Sequence, residues 1–154
     1  MAHQRILLVD DHEVVRLGLR SLLERRPEFE VVAEAATADE AVRMVEAHQP
    51  DVVLMDIRLP GGSGIDACER ICQQWPQVRV IMLTSYAEDE MLFSAIRAGA
   101  SGYVLKQIGS DELIKAIEAA GRGEAMLDPA LTQRVFTEVR KAVQKEEASA
   151  FRML

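Results

Sequence analysis

Residues 52–61 read Val-Val-Leu-Met-Asp-Ile-Arg-Leu-Pro-Gly: four apolar residues in unbroken succession, an aspartate, and a Pro60-Gly61 turn soon after. A short apolar run without polar alternation suits a strand buried on both faces of a parallel sheet. The same pattern recurs on either side of it. Ile6-Leu7-Leu8-Val9 runs into Asp10-Asp11, Val80-Ile81-Met82-Leu83 into Thr84-Ser85, and Tyr103-Val104-Leu105 into Lys106. A fifth candidate, Phe29 to Ala35, alternates more and reads as a strand nearer an edge. Helical periodicity fills the gaps between the runs. A first helix is expected over Glu13 to Arg25, closed by Pro27, and a second follows Thr37 as N-cap. A third carries Ile65, Cys68, Cys72 and Trp75 on one stripe and ends at Pro76. The fourth carries Met91, Leu92, Ala95 and Ile96 and stops at Gly99; the fifth carries Leu113, Ile114, Ala116 and Ile117, with Ser110 as N-cap and Gly121 after it. Five strand–helix repeats with short connections predict an α/β fold, a doubly wound parallel sheet with helices on both faces.

In such a sheet, ligands bind outside the carboxyl ends of the strands. Asp10, Asp11, Asp56, Thr84 and Lys106 all fall at strand ends, so one rim is expected to gather three carboxylates, a hydroxyl and an ammonium group. At about 4 Å and an effective dielectric of about 20, each like-charge pair costs roughly 4 kcal/mol. Such a cluster must hold a proton or bind a cation, and oxygen ligands with open positions favour magnesium. The ion changes the local sign and lets an anion approach. A carboxylate beside it can attack phosphorus, and Lys106 and Thr84 are placed to hold the oxygens of the transferred group.

Val9-Asp10-Asp11-His12, Met55-Asp56-Ile57-Arg58-Leu59-Pro60-Gly61, Leu83-Thr84-Ser85 and Gly102-Tyr103-Val104-Leu105-Lys106 closely resemble a two-component response regulator receiver domain. The resemblance covers about residues 4 to 122. The stretches Asp11-His12-Glu13-Val14-Val15-Arg16 and Ala98-Gly99-Ala100-Ser101-Gly102-Tyr103 resemble the NarL/FixJ class in particular. The resemblance implies a flavodoxin-like five-stranded sheet of order 2-1-3-4-5. It implies that Asp56 accepts a phosphoryl group from a cognate histidine kinase, and that Asp11 and Asp56 ligate magnesium directly. Asp10 would act mostly through a water, and the Arg58 backbone carbonyl would complete the protein's share. Lys106 would pair with the phosphoryl oxygens, Thr84 would move towards them, and Tyr103 would swing inward behind it. Arg58 and Tyr86 flank the site and would tune the lifetime of the phosphorylated form. The fourth helix, fifth strand and fifth helix would then present an altered surface to a partner.

That class continues into a helix-turn-helix domain that binds DNA. Here residues 123–154 read as a linker, with a sixth helix at about 128–145. It is started by Asp128-Pro129 and striped by Leu131, Val135, Val139 and Ala142. That stripe is a candidate homodimer contact. The abrupt ending favours a truncated chain, whose transcriptional output would act through a DNA-binding domain not present. The alternative is a stand-alone receiver that relays its signal by protein contact.

Composition sets the remaining bounds. The 154 residues are 49% hydrophobic and 28% charged, which suits one globular domain with a tail and excludes general disorder. With 18 basic and 25 acidic residues the net charge is −7, a surface that repels a phosphate backbone. No apolar run approaches the roughly 20 residues of a membrane helix, and no signal-peptide pattern opens the chain; a cytoplasmic protein without membrane partners is expected. Cys68 and Cys72 read as core thiols, because a disulfide across one helical turn is awkward. A phosphatase of the haloacid dehalogenase type would want an acid two positions after Asp56, where Arg58 stands. A flavodoxin-like cofactor binder would want a Gly/Ser/Thr-rich loop after the first strand, where Asp10-Asp11 repels phosphate. A signalling switch is therefore expected, and not a metabolic enzyme.

Overall fold

The computed structural model describes residues 3–85 and 88–152. In chain order the elements are β1 (Gln4–Val9), α1 (Glu13–Glu24), β2 (Phe29–Ala35), α2 (Ala38–His48), β3 (Val52–Met55), β4 (Arg58–Leu59), β5 (Gly62–Ser63) and α3 (Gly64–Gln74). They are followed by β6 (Arg79–Thr84), α4 (Asp89–Arg97), β7 (Gly102–Leu105), α5 (Ser110–Gly121), β8 (Met126–Leu127) and α6 (Pro129–Arg152).

The expected five strands form a parallel sheet in the order β2-β1-β3-β6-β7, which is the 2-1-3-4-5 arrangement. The sheet has six strands and not five. β8 joins the β7 edge, with Gly102 opposite Met126 and Tyr103 opposite Leu127. A two-residue pairing carries no apolar periodicity, which is why the sequence gives no sign of it. Gly102 permits it, because a Cβ there would stand 3.0 Å from the Met126 carbonyl oxygen.

Successive strand residues feed opposite faces, as the two-residue repeat requires. Leu7, Val9, Val53, Met55, Val80, Met82 and Tyr103 pack with α2, α3 and α4. Ile6, Leu8, Val52, Leu54, Ile81, Leu83 and Val104 pack with α5 and Leu23 of α1. Val52, Val53, Leu54 and Met55 are at most 1% exposed, so the unbroken run of β3 is a strand covered on both sides.

Local signals hold with three adjustments. Thr37 caps α2 by accepting the Glu40 backbone N–H at 3.1 Å. Ser110 does not cap α5: Gly109 stands at that position, without a side-chain cap, and Ser110 is the first helical residue. α6 runs to Arg152, past its expected end near 145. Of its expected stripe, Leu131 is buried and Val135 packs on the core, whereas Val139 is 53% exposed. Cys68 and Cys72 are free thiols 3.9 Å apart, Cys68 buried and Cys72 half-buried. No described helix is long and apolar enough to cross a membrane.

Candidate functional site

The register levels the strand ends. Val9 lies opposite Met55, Met55 opposite Met82 and Met82 opposite Tyr103. Asp10 and Asp56 are therefore the next residues out on adjacent strands, with the Asp56 N–H donating to the Val9 carbonyl at 3.0 Å. Lys106 follows β7 and donates its backbone N–H to the Thr84 carbonyl at 2.8 Å. The sheet, and not any loop, sets these positions.

Between them sits one ammonium group. Lys106 Nζ donates to Asp10 Oδ2 at 2.8 Å and to Asp56 Oδ2 at 2.9 Å. Both carboxylates are almost sealed from water, with side chains 3% and 7% exposed against 22% for Lys106. Burial pushes the Asp10 carboxyl up. The Lys106 hydrogen bond and the His12 backbone N–H outweigh it and hold Asp10 below the usual carboxylate value. Burial works against the charged Lys106 as well, yet its two carboxylates raise its pKa above the ordinary lysine value.

Asp11 lies at the outer edge, its side chain 31% exposed. His12 Nδ1 stands 3.0 Å from Oδ1 of both Asp10 and Asp11, so one imidazole bridges two carboxylates. Asp10, Asp11 and His12 form a set whose ligating atoms lie within 4.8 Å of one another, with Asp56 outside it. An open cleft of about 530 Å³ is lined by Asp11, Arg58, Pro60, Ser63 and Met91. Asp56 Oδ1 is buried without a hydrogen-bond partner among the described residues. A buried carboxylate oxygen costs free energy unless something binds it. An orphaned carboxylate oxygen, a half-open second carboxylate and an oxygen-rich cleft fit a hard divalent cation.

Thr84 ends β6 and is fully buried. Tyr103 is 1% exposed, and burial, reinforced by the Glu88 charge, pushes its hydroxyl up to about 12. Arg58 lies in β4 with an exposed side chain 3.9 Å from Glu88. Tyr86 lies outside the described residues. The structure thus brings Asp10, Asp56 and Lys106 into contact, sets Asp11 beside them, and keeps Arg58 on the cleft wall.

Three residues complete the site without having been singled out. The His12 side chain is 67% exposed, yet its ring nitrogen faces the acidic pair. Arg16, on α1, donates to the Asp10 carbonyl oxygen and pairs with Glu34 at 2.9 Å, fixing the end of β1. Gly64 closes the β4–β5 hairpin beneath Asp56. Its N–H donates to the Ile57 carbonyl at 2.7 Å, and a Cβ there would fall 1.9 Å from the Asp56 carbonyl oxygen. Since that obstacle is backbone, Gly64→Ala is expected to cost about 1–3 kcal/mol and to displace Asp56. A lowered denaturation midpoint in urea would check this; an unchanged midpoint would contradict it.

The chain matches the response regulator receiver domain family over residues 6–118. It is 44% identical over 143 residues to the DNA-binding transcriptional activator DevR/DosR of Mycobacterium tuberculosis, covering 93% of this chain and 66% of that protein. It is 39% identical over 135 residues to the oxygen regulatory protein NreC of Staphylococcus carnosus, covering 87% and 62%. The chain therefore spans slightly less than two thirds of the length of these relatives. Among solved structures, a LuxR-family two-component response regulator from Aurantimonas superposes with a TM-score of 0.84 at 44% identity, covering 89% of this chain and 98% of that one. The isolated receiver of RcsB from Salmonella enterica, solved with phosphomimetic BeF3−, gives 0.78 at 25% identity, covering 85% and 97%.

Proposed function

The chain belongs to the response regulator receiver domain family, NarL class, and from that premise we propose that Asp56 accepts a phosphoryl group from a histidine kinase. The observation that carries the reading is Asp56 itself: sealed from water, sharing Lys106 with Asp10, and with one oxygen left unpartnered. One oxygen of the Asp56 carboxylate attacks phosphorus, a P–O bond forms as the P–N bond to the kinase imidazole breaks, and the departing nitrogen keeps the electron pair. Phosphoryl transfer relies on positioning and charge compensation more than on covalent help from the protein.

Asp11 and Asp56 would hold a magnesium ion, with Asp10 acting mostly through a water and the Arg58 carbonyl as a further oxygen. When bound, the ion neutralises charge on the transferred phosphoryl oxygens. Lys106 exchanges its contact with Asp56 for one with those oxygens, and Thr84 adds a hydroxyl donor from the end of β6. Tyr103 is already buried, so the response expected of it is repacking and not a swing from an exposed start. Arg58 and Tyr86 are proposed to set how readily water reaches the acyl phosphate.

The output surface is proposed to comprise α4, β7 and α5, with residues 123–154 as linker to a DNA-binding domain outside this chain. A histidine kinase and a second copy of the chain are the protein partners proposed. Intact-mass spectrometry after incubation with acetyl phosphate tests the central claim. One phosphoryl adduct is expected with magnesium present and none once the metal is chelated. Equal labelling in both conditions would refute the metal's part.

A further inference from the structure

The segment after Gly123 returns to the sheet and runs parallel to β7 along its outer edge. The Met126 N–H donates to the Ser101 carbonyl at 2.9 Å, and the Asp128 N–H to the Tyr103 carbonyl at 3.1 Å. α6 then begins. Leu131 is 1% exposed and Val135 rests on the same core layer as Tyr103 and Leu92 of α4. Between them in sequence, the Arg134 guanidinium pairs with the Asp89 carboxylate at the start of α4. From Phe136 onward every described side chain of α6 is exposed. Among the holds on the segment are a two-residue strand, the apolar side chains of Met126, Leu127, Leu131 and Val135, and the Arg134–Asp89 ion pair. Its seat is also incompletely filled: an apolar cavity of about 230 Å³ remains, lined by Ile96, Ala100, Tyr103, Met126, Leu127 and Val135.

The points of attachment are close to the chemistry. Asp89 follows soon after Thr84 in the chain, and its neighbour Glu88 pairs with Arg58, just beyond Asp56. Tyr103 of β7, whose carbonyl takes the Asp128 bond, stands shortly before Lys106, which follows that strand. A new anionic group on Asp56 attracts Thr84 and Lys106, and so pulls on both anchors of the segment. Weakly held elements near a site are the ones whose equilibrium a local change can tip.

We infer that residues 126–135 are a strap docked on the α4–β7 face, which covers the output surface while Asp56 is free and lifts when Asp56 is modified. This rests on the reading of Asp56 given above. The strap is its own occupant of that face, so a second copy or another protein gains access only after it lifts. By thermodynamic reciprocity, if modification of Asp56 favours the open strap by a given factor, the open form takes the modification better by that factor, so a variant that holds the strap open gains up to that much.

NMR-detected amide exchange on the full chain tests this, with beryllofluoride and magnesium supplying a phosphoryl analogue on the carboxylate. The Met126 and Asp128 amides report the strap directly, because each donates to a β7-side carbonyl. Both should exchange about tenfold faster with beryllofluoride, the lower range of ordinary allosteric coupling. Arg134→Gln should speed them without it and tighten beryllofluoride binding, by up to about tenfold. Exchanging the charges, Asp89→Arg with Arg134→Asp, should restore slow exchange. If beryllofluoride binds and shifts the Thr84 amide while Met126 and Asp128 stay protected, the strap is uncoupled and the inference falls, with the Asp56 reading intact. If beryllofluoride affinity is the same in Arg134→Gln as in wild type, the inference falls likewise. If acetyl phosphate labels no site at all, both fall together.

Discussion

Asp56→Asn takes up no phosphoryl group from acetyl phosphate under conditions that label the wild-type chain fully, while its fold is retained. The amide keeps the shape of the side chain and can still accept a hydrogen bond from Lys106. What it loses is the nucleophile: an amide oxygen is neutral and far less reactive towards phosphorus than a carboxylate. A rate loss of at least about 10³ is expected, equivalent to about 4 kcal/mol in the barrier. Stability should change little, since the substitution removes a buried charge together with one of Lys106's two carboxylate partners. Intact mass and peptide mapping read the adduct, and circular dichroism reads the fold. Full-yield labelling of the Asn variant would move the acceptor elsewhere. Asp11, the more exposed carboxylate at the cleft, would be the next candidate.

Much of this site was legible before any coordinates, because its parts sit at the ends of apolar runs. Four unbroken runs ending in Asp10, Asp56, Thr84 and Lys106 define parallel strands, and parallel strands place their carboxyl ends together. The contact between Asp10, Lys106 and Asp56 follows from that geometry. The charge state of the cluster was less legible. The sequence alone counts three repelling carboxylates and calls for a cation, whereas Lys106 already compensates part of that charge and the His12 backbone N–H donates to Asp10. Illegible parts are those in which backbone and not side-chain type decides. β8 is two residues long, and Gly64 matters because of a carbonyl oxygen that tertiary folding brings against it. The stripe on α6 shows a further limit. Leu131 and Val135 face the core while Val139 does not, because the helix leaves the body after about two turns. A periodic pattern predicts which residues share a face, but not how far along the helix that face has a partner.

Lys106→Ala is expected to be the most destabilising of the single substitutions at this rim. Lys106 holds two carboxylates whose side chains are 3% and 7% exposed, and its removal leaves Asp56 buried without its counter-charge and Asp10 with its His12 contacts alone. Breaking a buried ion pair from one side costs about 3–5 kcal/mol. The loss should shrink when a divalent cation is added, since the metal takes over the compensation. The pH dependence follows from the two shifts. Asp10 is held below its ordinary value of 3.8 in the folded chain, so its contribution is complete above that value and is lost as pH falls through the lower folded pKa. Lys106 is raised above 10.5, so its contribution is complete below that value and is lost as pH rises through the higher folded pKa. The wild-type chain should therefore hold this part of its stability across the whole interval from about pH 4 to about pH 10. In Lys106→Ala the hydrogen bond and charge of Lys106 no longer lower Asp10, and only the His12 hydrogen bonds still oppose burial, so its pKa rises above that in the wild-type chain. The variant should then gain relative to wild type as pH is lowered from 7 towards 4, the reverse of what loss of a surface charge would do. Urea melts of both proteins at pH 7 and pH 4.5, with and without magnesium, measure all three effects. A deficit below about 1 kcal/mol at pH 7 without metal would place this pair among the weakly coupled surface ion pairs. It would also remove the physical basis for treating Lys106 as the counter-charge that Asp56 surrenders on phosphorylation.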